Sequence, residues 1–451
     1  MNRFVVIDRD TPYLFPPSVD EWLPQDHLAR FVVEIIERMD LGEFTRQYAG
    51  RGSAAYPPAM MLGLLVYGYA TGVHSSRKIE RACHDSVAFR FIAANTYPDH
   101  DSIANFRRRF LKPIENLFVQ VLMLAREMKC LRLGTIALDG TKIAANASKH
   151  KALSWEYANR IEGQLRQEVQ MLLELAESTD QVPCTDGMDV PAEIARRKER
   201  LQAIEQAKVK IKERARERYE REQDEYQAKQ AHRQELREAG KKPRGKEPEP
   251  PSQEPRARDQ VSLTDEQSRI MPSPKGGFVQ AYNAQAAVDT QSMLVVACDV
   301  SQGANDQREV APMLEHIKEL PQPLGSVQTL LADSGYCSAA NVRHIDQAQI
   351  EPLLALQRQH HHLSLLERFA PDQPCKQSED AMQRMVQRLK TKAGKAVYAL
   401  RKQTVEPVFG VIKRVMGWSQ MSLRGLAGAR GEWSLVTMVW NIKRLHVLRR
   451  A

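Results

Sequence analysis

One strand-like run, TIALDGTKIAA, is cut off from every other strand-like run in this chain by a long charged stretch with helical patterning. That interruption governs the fold, because any sheet using both sides must close around an inserted helical module. Within residues 151–259 the apolar positions Ile161, Leu165, Leu172 and Leu175, then Ile194, Leu201, Ile204 and Ile211, recur at helical spacing among Glu, Arg, Lys and Gln. Pro183, Gly187 and Pro191 break the pattern between the two sets. The expectation is an antiparallel helical hairpin over about 154–178 and 192–235, either self-contained or pairing with a second subunit. Beyond Tyr226 the apolar positions fade, and residues 238–259 read as a disordered linker, too charged and proline-rich to bury a core.

Upstream, residues 1–130 read as short helices. Leu28, Phe31, Val32, Ile35 and Ile36 make an apolar stripe, and Pro57-Pro58 open a helix beginning near Met60. The apolar stretch from Met60 to Gly72 is too short for a bilayer and suits a core helix. Ser75 or Ser76 can cap a further helix, and Asp101 or Ser102 another, with Ile103, Phe106 and Phe110 on one face and Arg107, Arg108 and Arg109 on the other. Turn-bounded helices ending in arginines suit a helix-turn-helix-like DNA-binding element. A solvated helix face is the plainer reading of the same arginines.

Charge favours a polyanionic partner: Lys+Arg number 65 against Asp+Glu 56, for a net +9 and a pI near 9.2, with nucleic acid the leading candidate. The six cysteines form no CxxC pair, and MNRFVVIDRDTPYLF has no secretory pattern, so a reducing cytoplasm is expected, with nucleoid association when bound to DNA.

Strand signals return after residue 260. Two apolar runs flank Asp289-Thr290-Gln291 as a hairpin, Asn305 or Asp306 can cap a helix through Met313, Leu314 and Ile317, and SVQTLLADS and IEPLLAL are further strands. Strands alternating with helices imply a mixed α/β sheet.

The chemistry-bearing residues lie on these elements. Asp139 and Asp333 sit at or near the ends of strand-like runs, and if those strands pair in parallel they are about 4.8 Å apart. Carboxylates that close repel unless a cation lies between them, and oxygen donors suit Mg²⁺ or Mn²⁺. Two ions about 3.5–4 Å apart could then serve both nucleophile and leaving oxygen of a phosphodiester. Glu406, two helical turns before Lys413 in VEPVFGVIKRVMGW, can complete the set. Read singly, each aspartate is more often a turn residue than a catalytic one, while Asp265, Asp289, Asp299 and Asp306 read as turn or cap residues and His360-His361-His362 as a solvated loop.

Several blocks in order, ALDGTKIAANAS, TDEQSRIM, GFVQAYNAQAAVD, ADSGY, YALRKQTVEPVFGVIK, LRGLAGARGEW and WNIKRL, with YPPAMMLGLLVYGY and PDHDSIANFRRRF upstream, resemble the DDE transposases of bacterial insertion sequences. The resemblance implies a ribonuclease-H-like fold with the first acid on the first strand, the second after the fourth strand and the glutamate on a later helix. Those roles fall to Asp139, Asp333 and Glu406 as catalytic and metal-binding residues. The family's Tyr, Arg and Lys near the DNA match Tyr398, Arg401 and Lys413 by type. Arg401 stands five residues before Glu406, one more than in the best-known signature, which turns it off the glutamate's helical face and makes Lys413 the expected phosphate contact.

The expected organisation is therefore an all-α DNA-binding domain (1–130), the first part of a ribonuclease-H-like catalytic domain (131–150), the helical insertion and linker (151–259), and the remaining catalytic domain with C-terminal helices (260–451). The expected activity is cleavage at double-stranded terminal inverted repeats and joining of the freed 3′-hydroxyl to target DNA, by a homodimer or larger assembly. A metal-dependent nuclease without strand transfer and an inactive, domesticated DNA-binding protein are the alternatives.

Overall fold

Alternating and continuous apolar runs pair here into one mixed sheet, and apolar helical stripes cover it. The computed structural model describes residues 18–48, 55–148, 151–179, 189–240, 242–243, 245–273, 276–356 and 380–450. The strands are β1 (Thr135–Ala144), β2 (Ala152–Ser154), β3 (Gln260–Ser262), β4 (Arg269–Pro272), β5 (Phe278–Asp289), β6 (Val295–Ser301), β7 (Thr329–Ala332) and β8 (Glu351–Leu354). The helices used below are α1 (Leu28–Glu37), α2 (Pro58–Thr71), α3 (His100–Arg109), α4 (Leu111–Glu127), α5 (Trp155–Thr179), α6 (Val190–Glu238), α7 (Val310–Lys318), α8 (Lys392–Gly410) and α9 (Leu426–Leu448).

The chain divides into two units, Met1–Ile143 with Tyr282–Ala451, and Ala144–Ala281. In the first, the sheet runs β5-β1-β7-β8, and β6 pairs antiparallel with β5. β1 and β7 are parallel, with Thr135 opposite Thr329 and Ala137 opposite Leu331, as are β7 and β8. Leaving aside the short strands β2 to β4 of the second unit, β7 is the fourth strand in chain order, and Asp333 follows it directly. This mixed sheet with helices is the ribonuclease-H-like arrangement expected from the sequence.

α9 closes the sheet edge. The Asn441 side chain accepts from Val295 N (2.8 Å) and donates to Val295 O (2.7 Å), and Arg430 Nε donates to Val300 O (3.1 Å). Side chains that meet free backbone groups of an edge strand make it a poorer template for another chain.

The N-terminal helices pack against the C-terminal helix within the first unit. α2 is buried from Met61 to Ala70, so it is apolar all round and needs more than one partner. It packs on α1 and α9, and α4 packs on α9 as well. The fully buried Glu432 of α9 ties this junction: it accepts from Tyr69 Oη (3.1 Å), Trp418 Nε1 (3.4 Å) and the backbone N–H groups of Ser422 (2.8 Å) and Leu423 (3.1 Å).

The second unit begins earlier and ends later than residues 151–259. β2 and β3 pair antiparallel, Ala152 opposite Ser262, and β4 pairs with Phe278–Ala281 at the start of β5. α5 and α6 run antiparallel as expected, Lys208 meeting Glu162 (2.6 Å) and Arg197 meeting Glu168 (2.9 Å) over a core of Ala158, Leu165, Ile204, Ala207 and Ile211. The segment read as a disordered linker instead returns along α6: Arg218 Nη1 meets Asp259 (2.6 Å), Arg256 Nη2 meets Glu222 (3.0 Å), and Arg237 meets Glu247 (3.2 Å). Ion pairs along an already formed helix supply what the segment's own apolar content cannot. Pro183, Gly187 and the triple histidine 360–362 lie outside the described residues.

Candidate active site

Parallel pairing of β1 with β7 stops at Ala137 and Leu331, and continuing that register by two residues sets Asp139 opposite Asp333. There β7 ends and the chain turns, with Asp333 capping a short 3-10 turn, Ser334–Tyr336, and its Oδ1 accepting Gly335 N–H (2.8 Å). The crevice beyond the carboxyl ends of parallel strands is where open α/β sheets place their sites.

Asp139 is largely buried, and its carboxyl is pushed up to about 6. Burial is the main cause; the charges of Asp333 and Asp306 add to it, while the Gly140 N–H and the Arg401 guanidinium oppose it. Glu406 projects from α8 with its side chain 57 % exposed. Arg401 spans the two: its Nη1 lies 3.2 Å from Asp139 Oδ2 and its Nη2 lies 3.6 Å from Glu406 Oε1. Tyr398, one turn earlier on α8, donates from its hydroxyl to Ala332 O (3.3 Å), and burial pushes its own pKa up.

Arg401 therefore contacts Glu406 despite the five-residue spacing, and Lys413 is engaged with β1. Five residues do rotate Arg401 from the glutamate's face, but a long guanidinium arm reaches across the turn. Lys413 lies in a π-helical segment, Val411–Val415, that follows α8 directly, so the α-helical two-turn register with Glu406 is not kept. Its ammonium bonds to Thr141 Oγ1 and to Lys142 O (3.3 Å), and burial lowers its pKa.

The upstream arginines divide three ways. Arg107 turns inward, its Nη1 donating to Tyr69 Oη (3.1 Å) and His74 O (3.2 Å). Arg108 is exposed and bonds to Asn105 Oδ1 on its own helix (2.6 Å). Arg109 lies over the rings of Tyr48 and Phe110, each 5.3 Å from its guanidinium carbon. Asp99, not Asp101 or Ser102, caps α3.

Among the described residues no three His, Cys, Asp or Glu side chains converge closely enough to define a metal centre. The donor chemistry nonetheless fits a hard divalent cation: Asp139, Asp333 and Glu406 offer only carboxylate oxygens, and a cation would favour the charged form of Asp139 that burial and, to a smaller extent, Asp333 and Asp306 disfavour. Sequence reasoning missed Asn283, Gln285 and Tyr336, buried polar residues beside these acids. Polar residues at buried positions of YNAQAAVD were the available signal.

No described helix is long and apolar enough to cross a membrane. No curated protein and no solved structure matches the chain. Two family models do: residues 17–109 match "Transposase domain (DUF772)" and residues 248–442 match "Transposase DDE domain", together more than half of the chain. A mixed sheet with parallel central strands, together with both matches in order, places this chain among the DDE-type transposases of insertion sequences, DNA-cleaving and DNA-joining enzymes of a family that uses divalent metal ions.

Proposed function

We propose that this transposase binds the terminal inverted repeats of its own element, hydrolyses a phosphodiester at each end to free a 3′-hydroxyl, and transfers that hydroxyl to target DNA, as a dimer or larger assembly. Supporting this reading are the parallel register of β1 and β7, which continued past Ala137 and Leu331 brings Asp139 beside Asp333, and Arg401 between Asp139 and Glu406. Asp139, Asp333 and Glu406 would hold Mg²⁺, or Mn²⁺, as a two-ion site. Bound there, the metal supplies an activated water or hydroxyl and a counter-charge for the leaving oxygen.

The chain's own residues do the rest by position. Arg401 balances the acids and offers donors to a phosphate entering beside Asp139. Tyr398, fixed to the end of β7, borders the same entry. Lys413 holds β1 through Thr141 and Lys142 O, keeping the strand that carries Asp139 in place. Hydrolysis and joining are both in-line displacements at phosphorus, so one set of acids serves each in turn.

The test uses labelled element-end DNA, target plasmid and Mg²⁺. Free 3′-hydroxyl ends and end-to-target joints are the expected products. Cut ends without joints would make the chain a nuclease, and end binding without cutting would make it an inactive DNA-binding protein.

A further inference from the structure

The acids do not account for the polar cluster behind them. Asp306 Oδ1 accepts from Lys142 Nζ (3.0 Å), Asn283 Nδ2 (2.6 Å) and Gln285 Nε2 (3.0 Å). The other end of the Gln285 amide accepts from Tyr336 Oη (2.5 Å). Asn283, Gln285 and Tyr336 are fully buried. Tyr336 closes the turn that Asp333 caps, and Asn341 Nδ2 donates both to Tyr336 O (2.7 Å) and to Gln307 O (2.6 Å), tying that turn to the one bearing Asp306. At the other end, Lys142 lies on β1 three residues after Asp139. The cluster also presses on the backbone next to Asp139: a Cβ at Gly140 would lie 2.3 Å from Gln285 Nε2 and 2.8 Å from Asp306 Oδ1. Only glycine leaves room there.

Burying this many polar groups costs desolvation that apolar side chains of similar size would avoid. What the network gives in return is fixed geometry between β1 and the Asp333 turn.

We propose that Gln285 and Asp306 are positioning residues, a hydrogen-bonded strut that sets the spacing of Asp139 and Asp333 and thereby the affinity of the acid pair for a divalent cation. The inference rests on the reading that these two aspartates hold the metal. Partners outside the ligand set typically cost 10–100-fold in metal affinity when removed.

The experiment titrates Mn²⁺ alone into the full-length protein, without DNA, following free Mn²⁺ by electron paramagnetic resonance. Gln285→Leu, which deletes both bonds at similar volume, is expected to weaken Mn²⁺ binding about 10- to 100-fold. Asp306→Asn, at a partly exposed position that tolerates the change even if Gln285→Leu fails to fold, is expected to weaken it severalfold, with Asp306→Glu restoring part of the loss. Folded variants that bind Mn²⁺ like the wild type overturn the strut, and so does a loss confined to thermal stability. Asp139→Asn is the control. If it abolishes Mn²⁺ binding while both strut variants keep it, the strut alone is refuted; if it too leaves binding unchanged, the acid-pair reading falls and takes the strut with it.

Discussion

Asp139 and Glu432 are both buried acids, and they keep opposite company. Glu432 is surrounded by donors, two side-chain and two backbone, and binds α9 to the Trp418–Leu423 loop and to α2. Asp139 has one backbone donor and one guanidinium, and faces the negative charges of Asp333 and Asp306. A carboxylate saturated with donors holds structure together. One that is short of donors and crowded by like charge is poised for a cation.

The largest effect should come from the acid site. Asp139→Asn, Asp333→Asn or Glu406→Gln is expected to lower Mg²⁺-dependent cleavage of element ends on the order of a thousandfold or more, with end binding retained. Wild-type cleavage by any one of them removes that residue from the site.

Glu432→Ala should act on stability instead, costing about 3–5 kcal/mol because four donors lose their acceptor in a dry interior. Urea unfolding measures it. A loss below about 1 kcal/mol would mean that the two acids are less different than their surroundings indicate.

The pH dependence sharpens the contrast. The Asp139 carboxyl is raised in the fold from its ordinary 3.8 to about 6, so only well below pH 4 is it protonated in both folded and unfolded chains. As pH rises toward 6 the unfolded chain ionises first, and metal-free stability falls through that window by up to about 3 kcal/mol before levelling. Asp139→Asn should flatten that part of the profile. Parallel profiles for the two proteins, measured by unfolding between pH 4 and 7, would dismiss the raised carboxyl.

Smallest is the effect at α3. Arg108→Ala should reduce the salt slope of DNA binding by about one, as one phosphate contact is lost. Arg107→Ala should leave the slope alone and cost about 1–2 kcal/mol of stability, through its inward bonds to Tyr69 and His74. The reverse outcome would put Arg107 on the DNA.

The strands carrying or preceding Asp139 and Asp333 were legible from their aliphatic and β-branched runs, whereas their parallel pairing entered only as a condition that the sheet now meets. The helical hairpin was legible too, because its apolar stripes have an unmistakable period. The packing of α2 and α4 on α9 was not, since an apolar face does not name its partner. Gln285 and Asp306 escaped for a related reason: an acid after Asn305 looks like a cap, and only the fold brings it beside Lys142. The Arg401–Glu406 ion pair was not legible because helical phase locates a Cβ, while the guanidinium ends several bonds away.

The β2–β3 pair bears on how such a chain assembles at all. β1 and β5 are neighbours in the sheet but lie far apart in sequence, and joining them directly would close a loop the length of the whole insertion. Once Ala152 pairs with Ser262, the span left to close is only the short stretches on either side. With closure entropy growing as the logarithm of length, the clasp lowers that cost by about 1–2 kcal/mol. It also turns a distant contact into a nearly local one, so that β1 and β5 meet at lower entropic cost once the clasp and the α5–α6 hairpin have formed.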